Sequence, residues 1–536
     1  MLLRSLVVGF LIAASGAAAQ PDVVVIVADD LGGADVGYNG SEIETPHLDA
    51  LAAEGVVLDR FYVSPLCSPS RAGLLTGRYP LRAGIAEQVT HADTTGLGPD
   101  VATLADDLRA GGYETAMVGK WHLGTGCHHH PLRHGFDSFV GLASGGANYF
   151  TRETLVGTDW WRGYLPDRPD GYTTDLIAAE ATYALTRPRA GPLFLYLPFT
   201  APHTPLNALD ADLARYPDLP EPRRTYAAMV TALDRAVGQV MAAVRASGRP
   251  TLVWFLSDNG GIERHGGRNA PLRGEKGQTY EGGIRVPSVV WYPPWGARTV
   301  GDPVWYLDVS PTVLAAVGLP APARALDGAD LGPQLAGAPH TPVLLDRVLY
   351  AYRRNGDDAS WLSAQSARWK LVQRLINGRT TRQLFRIDRD PNETADSLAA
   401  YPGLAADLAA GAEAYAALTP VGAAHDVTLT QNRPQDFSGC DEGTTLPLPP
   451  GPGGRWLRAT PNPAAAGLAV RVGGLPVDRA RVEVFDAVGR RVRLLHDGPL
   501  SPDQTFRVGP GLPAGLYLVR VTEAAGVTTA PVTVGR

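Results

Sequence analysis

Asp22-Val-Val-Val-Ile-Val-Ala28 is continuously apolar after its first residue and rich in β-branched side chains. It has no polar alternate face to show to water, so it reads as a strand buried on both sides. Such strands belong in a mostly parallel sheet with helices on both faces. Thr115-Ala-Met-Val118, Leu193-Phe-Leu-Tyr-Leu197 and Thr251-Leu-Val-Trp-Phe-Leu256 are of the same kind, and amphipathic helical patterns at 101–109 and 226–244 lie between them. Strands alternating with helices predict an α/β domain.

Outward from that domain, the 536 residues are too many for one core. Residues 1–19 read as a secretory signal, with Arg4, an apolar stretch and small residues ending at Ala19. The α/β domain is expected over 20–345 and a smaller α+β subdomain over 346–419. That subdomain has strand-like runs at 368–372 and 381–386, then a turn at Asp390-Pro-Asn-Glu393 leading into a last helix. A Pro/Gly-rich linker follows over 420–456, and 457–536 alternates like a small β-sandwich. The formal net charge of -6 and the lack of a long basic run argue against nucleic acid as a partner. No run after the signal reads as a membrane span, so the chain is expected to be exported. Three cysteines leave Cys127 and Cys440 either bridged or free beside Cys67.

Each buried strand runs into polar residues: Asp29-Asp30, Lys120-Trp121-His122, His203 and Asp258-Asn259. In open α/β sheets the ligand crevice lies beyond the carboxyl ends of the strands. Asp29, Asp30, Asp258 and Asn259 are hard oxygen donors without a companion thiolate, which suits a calcium ion. Cys67-Ser-Pro-Ser-Arg71 reads as a helix start, with Ser68 as N-cap and Pro69 in the first turn. The helix then ends near Gly77 and carries Arg71 one turn along. Its amino end favours a bound anion. His128-His129-His130 reads as a loop near the site mouth rather than a zinc site, because adjacent histidines point in different directions.

The run Cys67-Ser-Pro-Ser-Arg-Ala-Gly-Leu-Leu-Thr-Gly-Arg78 resembles the signature of the formylglycine-dependent sulfatases. The resemblance extends through Gly119-Lys-Trp-His-Leu-Gly124, His134-Gly-Phe-Asp137, Ser257-Asp-Asn-Gly260 and 271–287, in order. It implies that Cys67 is oxidised to formylglycine by a maturation enzyme, and that the aldehyde hydrate is the nucleophile. It further implies that Asp29, Asp30, Asp258, Asn259 and residue 67 hold the Ca2+. Arg71 would orient the hydrate, and Lys120, His122, His203 and Lys276 would surround the sulfate. His203, with Lys276, would protonate the departing alcohol, and His122 would take the proton that lets sulfate leave. Related folds leave a phosphomonoester or phosphonate-ester hydrolase as the alternative. A sulfated-glycan-binding protein is the other, if Cys67 is unmodified.

Residues 457–536 resemble the sorting domain of the type IX secretion system, through Pro461-Asn-Pro463, Val482-Glu-Val-Phe-Asp486, Gly489-Arg490 and Leu512-Pro-Ala-Gly515-Leu-Tyr517. Secretion machinery and an outer-surface or secreted location follow from that resemblance. A carbohydrate-binding or spacer β-sandwich would show the same alternation. An insertion carrying Trp160, Trp161 and Arg162 is expected to bind a sulfated carbohydrate, by stacking on sugar rings and pairing with anions. A bed of aromatics packed on one another would have the same composition. Arg264, His265 and Arg268 are expected at the same mouth.

Overall fold

The computed structural model describes residues 20–90, 96–155, 157–339, 346–354, 359–418 and 440. It also describes 456–460, 468–473, 477–486, 491–501, 504–508, 515–523 and 526–534. The signal at 1–19, the linker apart from Cys440 and Trp456, and the Pro461-Asn-Pro463 and Gly489-Arg490 motifs lie outside the described residues.

The central sheet uses β1 (Asp22–Ala28), β2 (Val56–Leu58), β3 (Glu114–Lys120), β4 (Ser138–Leu142), β5 (Trp161–Arg162), β6 (Leu165–Pro166), β7 (Leu193–Pro198), β8 (Thr251–Ser257), β9 (Ser288–Trp291) and β10 (Arg298–Val300). Their order is β10-β2-β9-β8-β1-β7-β3-β4-β5-β6. The five central strands, β8 to β4, are mutually parallel. β9 and β5 join antiparallel on either side of them, which the apolar runs did not announce.

β1 shows why its composition was decisive. Val23, Val25 and Val27 face one core, while Val24, Ile26 and Ala28 face the other. The first core includes Leu74 and Leu75 of α1 (Cys67–Thr76), and the second includes Val230, Leu233 and Val237 of α2 (Arg223–Ser247). Each fully buried valine contributes about 1.5–3 kcal/mol. A polar residue on either face would forfeit that and leave an unpaired group inside.

Two expectations need correction here. α2 is long and apolar enough to cross a membrane by length and composition, but 78% of that stretch is buried within the protein as a core helix. The N-cap of α1 is Leu66 and not Ser68, and the helix begins at Cys67 itself. Ser68 lies inside the first turn, and its Oγ accepts a hydrogen bond from Val89 N at 3.0 Å. The helix does end where expected, at Gly77 with φ +64.

A second, antiparallel sheet follows in chain order: β11 (Leu349–Arg354), β12 (Ala359–Gln365), β13 (Lys370–Ile376) and β14 (Arg379–Phe385). β13 starts two residues later than expected, because Ser366 Oγ accepts from the backbone N–H groups of Arg368 and Trp369 and holds them in a turn. α3 (Pro402–Ala416) covers this sheet, setting Leu408, Ala409 and Ala412 against Leu362, Leu371 and Leu384. Beyond Cys440 the strands form antiparallel sheets of three and four strands. Ala480, Val482 and Val484 alternate inward on one face of the larger one.

Candidate active site

Register brings the polar strand ends together. Ala28 pairs with Ser257, so Asp29 and Asp258 emerge side by side, and Asp258 N donates to Ala28 O at 3.0 Å. Asp30 turns back with φ +65 and donates its N–H to Asp258 Oδ1 at 3.3 Å. On the other side of β7, the ladder of β3 and β4 continues beyond Lys120, with Trp121 N donating to Leu142 O. His122 then breaks it with φ +60, a left-handed conformation that histidine adopts more readily than most residues. Its ring is seated against Gly145, where any Cβ would overlap Nε2.

Cys67 stands at the amino end of α1, fully buried in this cluster. Its Sγ lies 3.5 Å from Asp29 Oδ1, 3.4 Å from Asn259 Oδ1 and 3.2 Å from Lys276 Nζ. Lys120 Nζ donates to Asp29 Oδ2 at 2.5 Å, and Lys276 Nζ to Asp30 Oδ1 at 2.5 Å. Arg71 grips Asp258 Oδ2 with Nε and Nη2 at 3.0 and 2.8 Å, and donates from Nη1 to Lys120 O at 2.9 Å. Asn259 Nδ2 donates to Asp30 Oδ1 at 2.7 Å. Three carboxylates thus face three cations in a space closed to solvent, where either set alone would be prohibitively costly.

Burial, with the negative charge of Asp258, pushes the Cys67 thiol well above its ordinary range, against Lys120 and Lys276. Lys276 is held charged: burial opposes the ammonium, but Asp30 and its neighbours outweigh it. Burial likewise opposes ionisation of Asp30, yet Lys276 and His203 hold its carboxyl below the usual carboxylate range. Burial and the cations Lys120 and Arg71 depress His122 strongly. Burial lowers His203 to about 3 despite the attraction of Asp30.

His122 Nε2 faces Val89 O at 2.9 Å and therefore carries the hydrogen, while buried Nδ1 has no hydrogen-bond partner among the described residues. His203 Nδ1 faces Thr204 O at 2.6 Å, and Nε2 lies 3.8 Å from Asp30 Oδ2.

The oxygens of Asp29, Asp30 and Asn259 suit a hard cation, while the Cys67 sulfur and the His203 ring nitrogen beside them are softer donors. Ligand atoms of Asp29, Asp30, Cys67 and His203 lie within 4.8 Å of one another, and Asn259 adds its amide oxygen. Asp258 is the most committed of the expected ligands, since Arg71 and the Asp30 N–H occupy its oxygens.

The mouth is a cavity of about 220 Å³ bounded by Gln88, Val89, Thr90, His122, Gly145, Gly146, His203 and Thr204. The sequence reading missed the 88–90 segment and the glycine pair. Gly145-Gly146 follows the carboxyl end of a parallel strand, which is the signal that would have found it. Tyr149 secures the far rim by donating its hydroxyl to the carbonyls of Thr200 and His203.

The expected sugar platform is not there. Trp160 is 1% exposed and Trp161 3%, and Trp161 Nε1 donates to Asp159 Oδ1. Arg162 is paired with Glu180 at 2.6 Å and Asp167 at 3.2 Å. These side chains lock β5 onto the sheet, and composition alone does not separate an aromatic packing bed from a binding surface. Arg268 is paired with Glu42 and lines a different cavity of about 400 Å³ with Glu221, Arg223 and Glu263. Arg264 is exposed, whereas His265 is half-buried, and burial with the neighbouring Arg264 lowers its ring below the ordinary range.

In the histidine run, His129 Nδ1 is bonded to Leu97 O, and His130 lies against Tyr164 with ring centres 4.3 Å apart. Both are packing residues. Cys127, just before them, is bridged to Cys440, which resolves the pairing that the sequence left open.

Residues 21–319 match the Sulfatase family. The chain is 34% identical over 454 residues to arylsulfatase J of Mus musculus, covering 74% of this chain and 76% of that protein. It is 31% identical to N-acetylgalactosamine-6-sulfatase of Canis lupus familiaris, covering 82% of this chain and 92% of that one. Among solved structures, Ps i-CgsB in complex with k-i-k-neocarrahexaose superposes with a TM-score of 0.69 at 34% identity, covering 75% of this chain and 93% of the other.

Proposed function

The chain belongs to the sulfatase family and is a sulfuric ester hydrolase, and from that premise we propose an exported enzyme that desulfates a carbohydrate through formylglycine at position 67 and one calcium ion. The observation that carries this reading is the setting of residue 67. An unionised, buried thiol is a poor nucleophile, yet it sits at a helix amino end among two lysines and the acidic strand ends. A hydrated aldehyde there supplies an oxygen nucleophile and a second hydroxyl through which the enzyme is regenerated.

Asp29, Asp30, Asp258 and Asn259, with residue 67, would hold calcium, which when bound polarises the sulfate and offsets the carboxylate charge. Arg71 fixes Asp258 and the Lys120 carbonyl, so it holds two strand ends at fixed distance from α1. Lys120 and Lys276 bring positive charge to the sulfate oxygens, where one well-placed donor is worth about 10²–10³ in rate. His122 Nδ1, without a hydrogen-bond partner among the described residues, would take the proton from residue 67. His203 and Lys276, both beside Asp30, serve the departing alcohol.

The carbohydrate reading is supported by the names of the relatives, an N-acetylgalactosamine-6-sulfatase and a protein complexed with a neocarrahexaose. Recognition then falls to the residues bounding the mouth, chiefly Gln88 and Thr90, and not to the buried tryptophans. Export is supported by the signal-like residues 1–19, by the resemblance of 457–536 to a type IX sorting domain, and by a disulfide that suits an oxidising compartment. A maturation enzyme in the producing cell is then an obligatory partner. Enzyme from such a cell is expected to release sulfate from a panel of sulfated saccharides faster than phosphate from matched esters. Hydrolysis confined to small aryl sulfates would refute the carbohydrate assignment.

A further inference from the structure

Lys276 is carried by the loop 271–281, whose main chain is held from within the large domain. Lys276 N donates to Gly261 O at 3.2 Å, and Gly277 N donates to Pro65 O at 2.8 Å, two residues before Cys67. A third hold comes from the antiparallel sheet. Arg353, near the end of β11, donates from Nη1 to Gly277 O at 3.0 Å. Gly277 has φ +85, and a Cβ there would overlap Arg353 Nη1. The guanidinium therefore occupies space that only glycine leaves open. The same sheet holds the end of the loop, with Trp361 edge-on to Tyr280 at 5.3 Å and Lys370 paired with Glu281 at 2.8 Å.

We infer that Arg353 is a positioning residue for Lys276, keeping Nζ beside residue 67 and Asp30. The inference rests on, and deepens, the assignment of Lys276 to the sulfate. Among the described residues of the antiparallel sheet, Arg353 makes its contact with the loop next to Lys276, and it touches backbone rather than side chain. Its effect thus passes through the placement of Nζ, 3.2 Å from residue 67. Misplacing a reacting group by about 1 Å costs roughly 10²-fold in rate, and this loss falls on kcat because substrate contacts at the rim are unchanged.

The test compares matured enzyme carrying Arg353→Met, Arg353→Lys, Lys276→Ala and the Arg353→Met/Lys276→Ala pair, with 4-nitrophenyl sulfate as probe. Arg353→Met is expected to lower kcat about 10- to 100-fold with KM changed less than about twofold. Arg353→Lys should restore most of the loss. In the Lys276→Ala background, Arg353→Met should change kcat by no more than about twofold, since the side chain it positions is gone. Arg353→Gln gives the same comparison should the Met variant fail to fold. An effect on KM alone, no effect on kcat, or an equal loss in both backgrounds would overturn the inference. Wild-type kcat in Lys276→Ala would overturn the Lys276 assignment itself and this inference with it.

Discussion

Cys67 is surrounded by acidic groups and two lysines, yet burial and Asp258 together keep its thiol unionised. Sulfur chemistry is therefore a poor use of this position, whereas an oxygen nucleophile with a second hydroxyl fits it. A serine at 67 supplies the attacking oxygen without that second hydroxyl. Cys67→Ser is expected to accumulate a sulfated protein, visible by intact mass, and not to turn over; sustained turnover would sink the mechanism. His203 makes a second residue-scale prediction. Burial lowers its ring to about 3, so as a general acid it must gain its proton when the anionic sulfate binds. Such an acid matters most for a poor leaving group, and His203→Gln should cost about 10²–10⁴ on a sugar sulfate and far less on 4-nitrophenyl sulfate. Equal losses on both would assign His203 to binding. The sequence showed these residues because Asp29, Lys120 and Asp258 each close an apolar run and His203 follows one. It did not show Val89, whose carbonyl meets His122, or Arg353, whose guanidinium donates to the Gly277 carbonyl. Backbone acceptors leave no trace in residue identity.

At the scale of elements, the antiparallel sheet is joined to the end of the loop that carries Lys276 by buried charges. Lys370 Nζ lies 2.8 Å from Glu281 and 3.1 Å from Glu393, all three fully enclosed. Arg285 also reaches Glu281, at 3.6 Å, yet burial raises the Glu393 carboxyl to about 7 from an ordinary 4.5, against Lys370 and with Glu281 adding to the shift. The folded state therefore binds this proton more tightly than the unfolded chain. Its stabilising contribution is complete below about pH 4.5 and is lost as pH rises through about 7. Glu393→Gln is expected to flatten the fall in melting temperature between pH 6 and pH 8 that this group causes. An unchanged pH slope would place the proton elsewhere. Strands buried on both faces, such as β1, were legible because no polar alternation blurs them. β5 was not, because Trp161 is recruited to the sheet by pairing with Gly141 across a loop. The N-cap of α1 was misplaced because Ser68 spends its hydroxyl on Val89 instead of on its own helix.

Across the whole molecule, the bridge from Cys127 to Cys440 closes 313 residues and ties the chain beyond the antiparallel sheet to the loop that follows His122. No spacing rule pairs cysteines so far apart, so only the fold could reveal it. Replacing Cys127 with serine is expected to destabilise the folded enzyme by about 2–4 kcal/mol, with kcat little changed. An identical unfolding midpoint with and without reductant would deny the bridge a structural role. Removing 457–536 should leave sulfate hydrolysis intact and retain the enzyme in the producing cell; normal release would refute the sorting assignment. The account as a whole depends on what residue 67 becomes, and the mass of the tryptic peptide 61–71 from enzyme made in its native host tests that directly. The account predicts an aldehyde at position 67, confirmed by reaction with a hydrazide. An intact thiol in enzyme that still hydrolyses sulfate esters would contradict it.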